Sequence, residues 1–167
     1  NLLYHGCVPL KEDGNLKSVR IFGRAYKGKG LYEVLESYVR KGFYAMDPKE
    51  KERGKDIMWY IWLSENSPLF GKDKMATFER YFLSEKETHK EKKNPYYLLL
   101  EDEKVVEKIL KEFGLENEDA HIINGHVPVK CKDGENPVKC GGKVLVIDGG
   151  FSKAYQPETG IAGYTLV

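Results

Sequence analysis

The sequence has few cysteines and no long apolar run, and both shortages exclude classes of protein. No apolar stretch approaches the roughly 20 residues needed to cross a bilayer, and no basic region with an apolar core opens the chain. The three cysteines, Cys7, Cys131 and Cys140, contain no CxxC motif and leave an odd thiol. These features disfavour a membrane partner, a disulfide framework and a thiolate zinc site, and they predict a cytoplasmic protein.

An excess of one charge is also missing. The 167 residues include 27 lysines and arginines against 26 acidic residues, for a formal net charge of +1. Such a balance provides no basic surface for nucleic acid, and the intermixed signs are typical of a solvated surface. There is no internal repeat or low-complexity tract. A hydrophobic fraction of 41% at this length can form one ordinary core, so one structural unit is expected.

Two short apolar runs that stop at glycine carry the first chemical signal. Residues 121–124 lead into Gly125-His126, and residues 143–148 end with Asp148 before two glycines. Such runs predict buried strands, and α/β proteins place ligands just past the carboxyl ends of their strands. We therefore expect His126 and Asp148 at neighbouring strand ends, with Gly125 providing a tight turn. A hydrogen-bonded structural histidine is the alternative.

A second histidine repeats this arrangement near the start of the chain, where a short apolar run delivers His5 next to Gly6. The long stretch between the two histidines reads as mostly helical. The aromatic cluster at 58–63 is predicted to be core, with a substrate-facing role for either tryptophan as the alternative. Apolar spacing and helix end signals predict helices over 31–43 with a stop at Gly42, over 49–63 after Asp47-Pro48, over 75–83, and over 102–113 with a stop at Gly114.

Several basic residues have the chemistry to bind phosphate through charge-assisted hydrogen bonds. The alternative for each is a simply solvated charge. Tyr155 joins them as a substrate contact because of its position in the loop after Asp148. The candidates are Arg80, Lys92, Lys93, Lys153 and Tyr155.

Motif after motif resembles one family. The stretches are LLYHGCVPL, SPLFGKDKMATFERYF, THKEKKNPYY, GHVPVK, ENPVK and GGKVLVIDGGFSKAYQPETGIAGYT. They resemble the bacterial class III fructose-1,6-bisphosphatases, which belong to the calcineurin-like metallophosphoesterases. The resemblance covers nearly the whole chain. It implies an α+β fold that is part of a four-layer sandwich, with a helical insertion between the two histidine elements and segments at 1–30, 31–100 and 101–167.

The resemblance also implies a chemistry. By position, His5 and His126 correspond to ligands of the same metal ion, in a site that holds two ions in the complete enzyme. Manganese is the expected metal, since histidine with carboxylate or amide oxygen suits such ions. The implied substrate is fructose 1,6-bisphosphate. Water attacks its 1-phosphate and releases fructose 6-phosphate and phosphate, a step of gluconeogenesis.

The departures from the family pattern are as informative as the matching motifs. The family's GDxxD and GNH elements are absent, and Asn124-Gly125-His126 reverses the last of them. Both ends of the sequence read as interrupted strands. We therefore expect an internal or C-terminal segment of a longer polypeptide, without its N-terminal part and inactive alone.

Two other functions stay open at this point. One is a related phosphoesterase acting on phosphoproteins or dinucleotide polyphosphates. The other is a non-catalytic module that binds a sugar phosphate or a partner chain through the helical insertion. The metal, the effector sites and whether the chain forms a homo-oligomer are also open.

Overall fold

The computed structural model describes residues 1–150, 152–153, 156–160 and 164. Within them, helices accompany a mixed sheet, which confirms the predicted α+β class. Short 3₁₀ turns occupy Lys86–His89, Pro95–Leu98, Cys131–Asp133 and Cys140–Gly142. The strands are β1 (Leu2–Tyr4), β2 (Val19–Ile21), β3 (Arg24–Tyr26), β4 (Ile122–Asn124), β5 (Val138–Lys139) and β6 (Val144–Val146). The helices are α1 (Gly28–Tyr44), α2 (Pro48–Leu63), α3 (Thr77–Phe82), α4 (Glu103–Glu112) and α5 (Gln156–Thr159).

The chain divides into two compact units. The first combines residues 1–7 with residues 98–167, and the second consists of residues 8–97. The second unit therefore contains the helices expected in the insertion together with the β2–β3 hairpin. Within the described residues, no helix combines the length and the apolar character needed to cross a membrane.

The first unit is built on a four-stranded sheet in the order β1-β4-β6-β5. β4 pairs in parallel with both β1 and β6, while β5 pairs antiparallel with β6. All three residues of β4 are buried, as expected for a central strand with neighbours on both sides. The parallel pairs are in register, with Asn124 opposite both Tyr4 and Val146, so three strands end at the same edge.

The amphipathic pattern at 102–113 correctly predicts α4 in the same unit. Asp102 caps the helix by accepting hydrogen bonds from the backbone N–H groups of Lys104 and Val105. The apolar side chains at helical spacing are buried, and Gly114 follows the helix with a φ of 78°. Gly114 has the left-handed conformation that commonly terminates helices, which is the predicted stop.

The second unit has a core between the β2–β3 hairpin and the first two helices. Phe22 and Gly23 form the turn with φ values of 45° and 83°, typical of a two-residue turn that follows the twist of the strands. α2 begins as predicted, because the Asp47 side chain accepts a hydrogen bond from the N–H of Lys49 and Pro48 occupies the first turn. The buried cluster consists of Val19, Ile21, Leu31, Leu35 and Ile57.

A glycine contact sets how closely α1 and α2 pack. A Cβ built on Gly42 would lie 2.5 Å from the Cα of Gly54, and the reverse holds for Gly54. The prediction that Gly42 ends the helix is therefore wrong, since α1 continues to Tyr44. Gly42 is present because the backbone of the neighbouring helix leaves no room for a side chain.

The aromatic cluster of α2 also departs from expectation. Met58, Trp59 and Trp62 are 52%, 68% and 67% exposed, so the prediction that they form core is wrong. Successive turns of α2 direct Ile57 and Ile61 toward the β2–β3 side of the unit, where the core cluster lies. The two tryptophans fall on the other face of the helix because of its 3.6-residue period.

Replacing Gly54 by alanine should destabilise the second unit. A methyl group 2.5 Å from the Gly42 Cα must push the helices apart, which we expect to cost about 1–3 kcal/mol in the free energy of unfolding. Urea denaturation followed by helical circular dichroism measures this change. Gly30→Ala is the matched control, because nothing lies within 4 Å of its added Cβ in the same helix pair. That variant should be neutral or gain up to about 1 kcal/mol, and equal effects at both positions would contradict the packing argument.

Candidate metal centre

The ends of the three parallel strands bring the predicted site residues together. His5 follows β1 directly, while His126 and Asp148 each lie two residues past the ends of β4 and β6. The backbone N–H of Gly125 donates to the carbonyl of His5 at 3.0 Å, which joins the two loops past the strands. The carboxyl edge of a parallel sheet is where such side chains converge.

The two imidazoles meet although they are 121 positions apart in sequence. The distance from His5 Nε2 to His126 Nδ1 is 3.0 Å, and the ring centroids are 4.8 Å apart with the planes at 60°. Two nitrogens bound to one ion at about 2.1 Å and at right angles would also stand about 3.0 Å apart. The same distance suits a single hydrogen bond from one ring to the other. The pair therefore fits two neighbouring positions of a metal coordination sphere.

Backbone strain is located on His126 itself. Its φ is 66°, in the left-handed region that side chains with a Cβ adopt at a cost of roughly 1–2 kcal/mol. Gly125 was expected to supply this freedom. It does not have a positive φ, and an added Cβ there would make only ordinary contacts of 3.5 Å to Asp148 and 3.7 Å to His5. Strain of this kind persists where the surroundings hold a residue in one orientation.

Asp148 lies beside the pair but its carboxylate is engaged locally. Its Oδ1 accepts a hydrogen bond of 2.9 Å from the N–H of Gly150, and its carbonyl accepts one of 2.8 Å from Val129. In the part of the chain that the structure describes, no three His, Cys, Asp or Glu side chains form a group able to hold a metal ion. The described residues thus offer two histidine ligands and a neighbouring carboxylate that forms a turn.

Asn124 is a site residue that the sequence interpretation missed. It is 1% exposed, its Nδ2 donates to the carbonyl of Gly6 at 3.2 Å, and its backbone carbonyl accepts from the N–H of Ile147. Asn124 thus connects the loops after all three parallel strands. Its buried Oδ1 has no hydrogen-bond partner among the described residues. The available signal was a polar side chain at the end of an apolar strand, because buried amides usually have a specific role.

Arg80, a predicted phosphate contact, belongs to a cluster around Glu91. Glu91 accepts a hydrogen bond from the backbone N–H of Ala76 at 3.0 Å, pairs with Lys72 at 3.0 Å and with Arg80 at 3.5 Å. Burial by itself raises the pKa of the Glu91 carboxyl, but the N–H of Ala76 and the two cations outweigh it and lower the pKa below its usual value. Arg80 remains 58% exposed, so its guanidinium also reaches solvent.

Lys92 and Lys93 line a cleft of ≈ 330 Å³ within the second unit. The cleft also contains Lys11 and Lys17 together with acidic side chains. Lys92 Nζ lies 3.6 Å from a Glu12 carboxylate oxygen, so part of this basic charge is already paired. Of the two remaining candidates, Lys153 is exposed and Tyr155 lies outside the described residues.

Helices with a mixed sheet, and two imidazoles converging at the carboxyl ends of its three parallel strands, define an α+β protein with a candidate histidine metal centre. Residues 1–167 match the family described as Firmicute fructose-1,6-bisphosphatase, and the chain belongs to this family. It is 60% identical over 168 residues to the class 3 fructose-1,6-bisphosphatases of Clostridium botulinum strain Hall and of Clostridioides difficile strain 630. Each match covers 100% of this chain and 25% of the relative, so the chain spans about a quarter of their length. No solved structure matches.

The Glu91 cluster should make stability depend on pH in a defined direction. A carboxyl whose pKa is lowered on folding stabilises the protein above its unfolded pKa, and this contribution is lost as pH falls through the folded value. Because the ordinary value is 4.5, the loss is expected below that pH. Glu91→Gln should cost about 1–3 kcal/mol at neutral pH and reduce the acid dependence, measured by denaturation between pH 3 and pH 7.

The matched control is Glu87→Gln. Glu87 pairs with Lys90 at 2.8 Å, but its side chain is 82% exposed, so the change should cost no more than about 1 kcal/mol. An acid dependence that is unchanged in the Glu91 variant would contradict the assignment of the cluster.

Proposed function

We propose that His5 and His126 are ligands of one divalent metal ion in a phosphatase that hydrolyses fructose 1,6-bisphosphate to fructose 6-phosphate and phosphate. The observation that carries the proposal is the 3.0 Å convergence of the two ring nitrogens. The class 3 fructose-1,6-bisphosphatases to which the chain is 60% identical support the substrate. We propose manganese as the metal. We propose the cytoplasm as the location, which fits three cysteines that form no disulfide among the described residues.

A bound divalent ion supplies positive charge that polarises a phosphoryl oxygen and stabilises the charge that develops during phosphoryl transfer. The residues of this chain position that charge. Asn124 and the Gly125 to His5 hydrogen bond hold the two loops together, so neither imidazole has to be recruited from a distant position. Preorganised ligands of this kind avoid a reorganisation cost when the metal binds.

The basic residues are proposed as phosphate contacts in the complete enzyme. Arg80 is the strongest candidate for a phosphate contact. Pairing with Glu91 already restrains its guanidinium, while more than half of the side chain stays exposed. Lys92 and Lys93 have a similar role within their cleft, and Lys153 is an exposed cation after Asp148. A phosphate would have to compete with Glu12 and Glu91 for two of these cations.

Metal binding by single histidine variants tests the centre. His5→Ala and His126→Ala should each weaken Mn²⁺ binding by at least roughly 10–100-fold. Loss of a residue that only hydrogen-bonds to a metal ligand already has an effect of that size. Electron paramagnetic resonance of free and bound Mn²⁺ measures the affinity in the 167-residue chain. His121→Ala is the matched control, because this histidine contacts Asn1 at 3.3 Å and not the pair. An equal loss of Mn²⁺ affinity in the control variant, or no loss of affinity in the other two variants, would contradict the proposed centre.

The isolated chain should not hydrolyse fructose 1,6-bisphosphate, because two histidines do not complete a two-metal site. Phosphate release is measured with Mn²⁺ present, first for the chain alone and then after adding the remaining three quarters of a class 3 relative. Activity should appear only in the mixture and should be lost again with His126→Ala. Turnover by the isolated, purified chain would refute this expectation. A mixture that cleaves only phosphoproteins or dinucleotide polyphosphates would replace the proposed substrate.

A further inference from the structure

A groove on the outer face of the α1–α2 pair exposes an unusual amount of aromatic surface. We call it the aromatic groove and define it by Phe43, Met58, Trp59, Trp62, Lys51 and Lys55. Phe43 is 78% exposed, and the two tryptophans, which are the only ones in the chain, are exposed by about two thirds. The groove has a volume of ≈ 620 Å³.

The floor of the groove is backbone. Gly42 and Gly54 both line it, and their mutual contact leaves no side chain between the aromatic walls. The two glycines therefore leave space in which an apolar side chain of a partner can pack between the aromatic side chains. Burying each large apolar side chain is worth about 1.5–3 kcal/mol, and contiguous exposed apolar surface of this kind marks an interaction site.

The charges around the groove indicate what kind of surface covers it. Lys51 and Lys55 are the charged residues among the described residues that line it. Lys55 pairs with Glu52 at 3.3 Å, but both side chains are exposed and Glu52 does not line the groove, so the charge at its edge is mainly positive. A second copy docked by the same face about a two-fold axis would bring two sets of these lysines, and no lining carboxylate, to one interface. The charges instead favour a different surface, one with apolar side chains flanked by carboxylates.

The class 3 relatives contain a large part that this chain does not cover. The chain spans about a quarter of the length of its class 3 relatives, so three quarters of each relative is protein that the groove could contact. We propose that the aromatic groove docks this remaining part of the class 3 polypeptide, through a segment of apolar side chains flanked by acidic residues. The inference rests on membership of the family and is independent of the metal, the substrate and the reaction.

Hydroxyl-radical footprinting tests the docking at single residues. The protein used is the Clostridioides difficile class 3 enzyme in full length, with its matching segment replaced by this 167-residue sequence. We expect the oxidation rates of Trp59 and Trp62 to be at least fivefold lower in the full-length protein than in the 167-residue chain. Lys51→Glu with Lys55→Glu should restore much of the oxidation, because these changes place acidic groups against the acidic segment. Lys86→Glu, an exposed lysine outside the groove, should have no effect.

Three outcomes would overturn the proposal. The first is equal oxidation of both tryptophans in the full-length protein and in the isolated chain. The second is protection that the double lysine reversal leaves unchanged, which would exclude an acidic partner segment. The third is protection that appears in the isolated chain as its concentration rises, which would make a second copy the occupant. Because footprinting needs neither metal nor substrate, a failed metal centre and a failed docking surface give distinguishable results.

Discussion

The parallel pairing of β1 with β4 is the constraint on which the first unit depends. Leu2 pairs with Ile122 and Tyr4 with Asn124, so the pairing joins segments separated by about 120 residues. Closing a loop of this length has an entropic cost, and the burial of the central strand with hydrogen bonds on both sides helps to offset it. Once this register forms, the next residues along both strands are His5 and Gly125-His126. Their meeting at 3.0 Å therefore follows from strand register and needs no flexible search.

The same edge explains why polar and strained residues gather there. Asn124 is buried with an Oδ1 that has no hydrogen-bond partner in the part of the chain that the structure describes, and His126 has a left-handed backbone, each of which costs stability. Neither feature improves packing of the sheet. Both make sense if the edge exists to hold two imidazoles in a defined orientation, which is the expectation for a site that binds a metal.

In the second unit, the two faces of the α1–α2 pair differ: one face contributes to the core and the other is exposed. Its helix pair packs through Gly42 and Gly54, while the core cluster lies on the side of the β2–β3 hairpin. The opposite side retains the tryptophans at high exposure. Periodicity shows that α2 has two apolar faces, but it cannot show which of them a neighbour covers. That explains why the aromatic cluster is predicted as core and found at the surface.

The resemblance to a known family implied the α+β class. Local chemistry in the sequence determined the capped starts of α2 and α4, the stop at Gly114, and the identity of the two histidines past their strands. These features depend on contacts within a few residues, which a sequence displays directly. Only tertiary structure decided that Gly42 is a helix contact, that His126 and not Gly125 bears the strain, that Asn124 connects the loops, and that Glu91 restrains Arg80. Each of these depends on a partner distant in sequence, or on a backbone angle imposed by packing, and neither is encoded in local pattern.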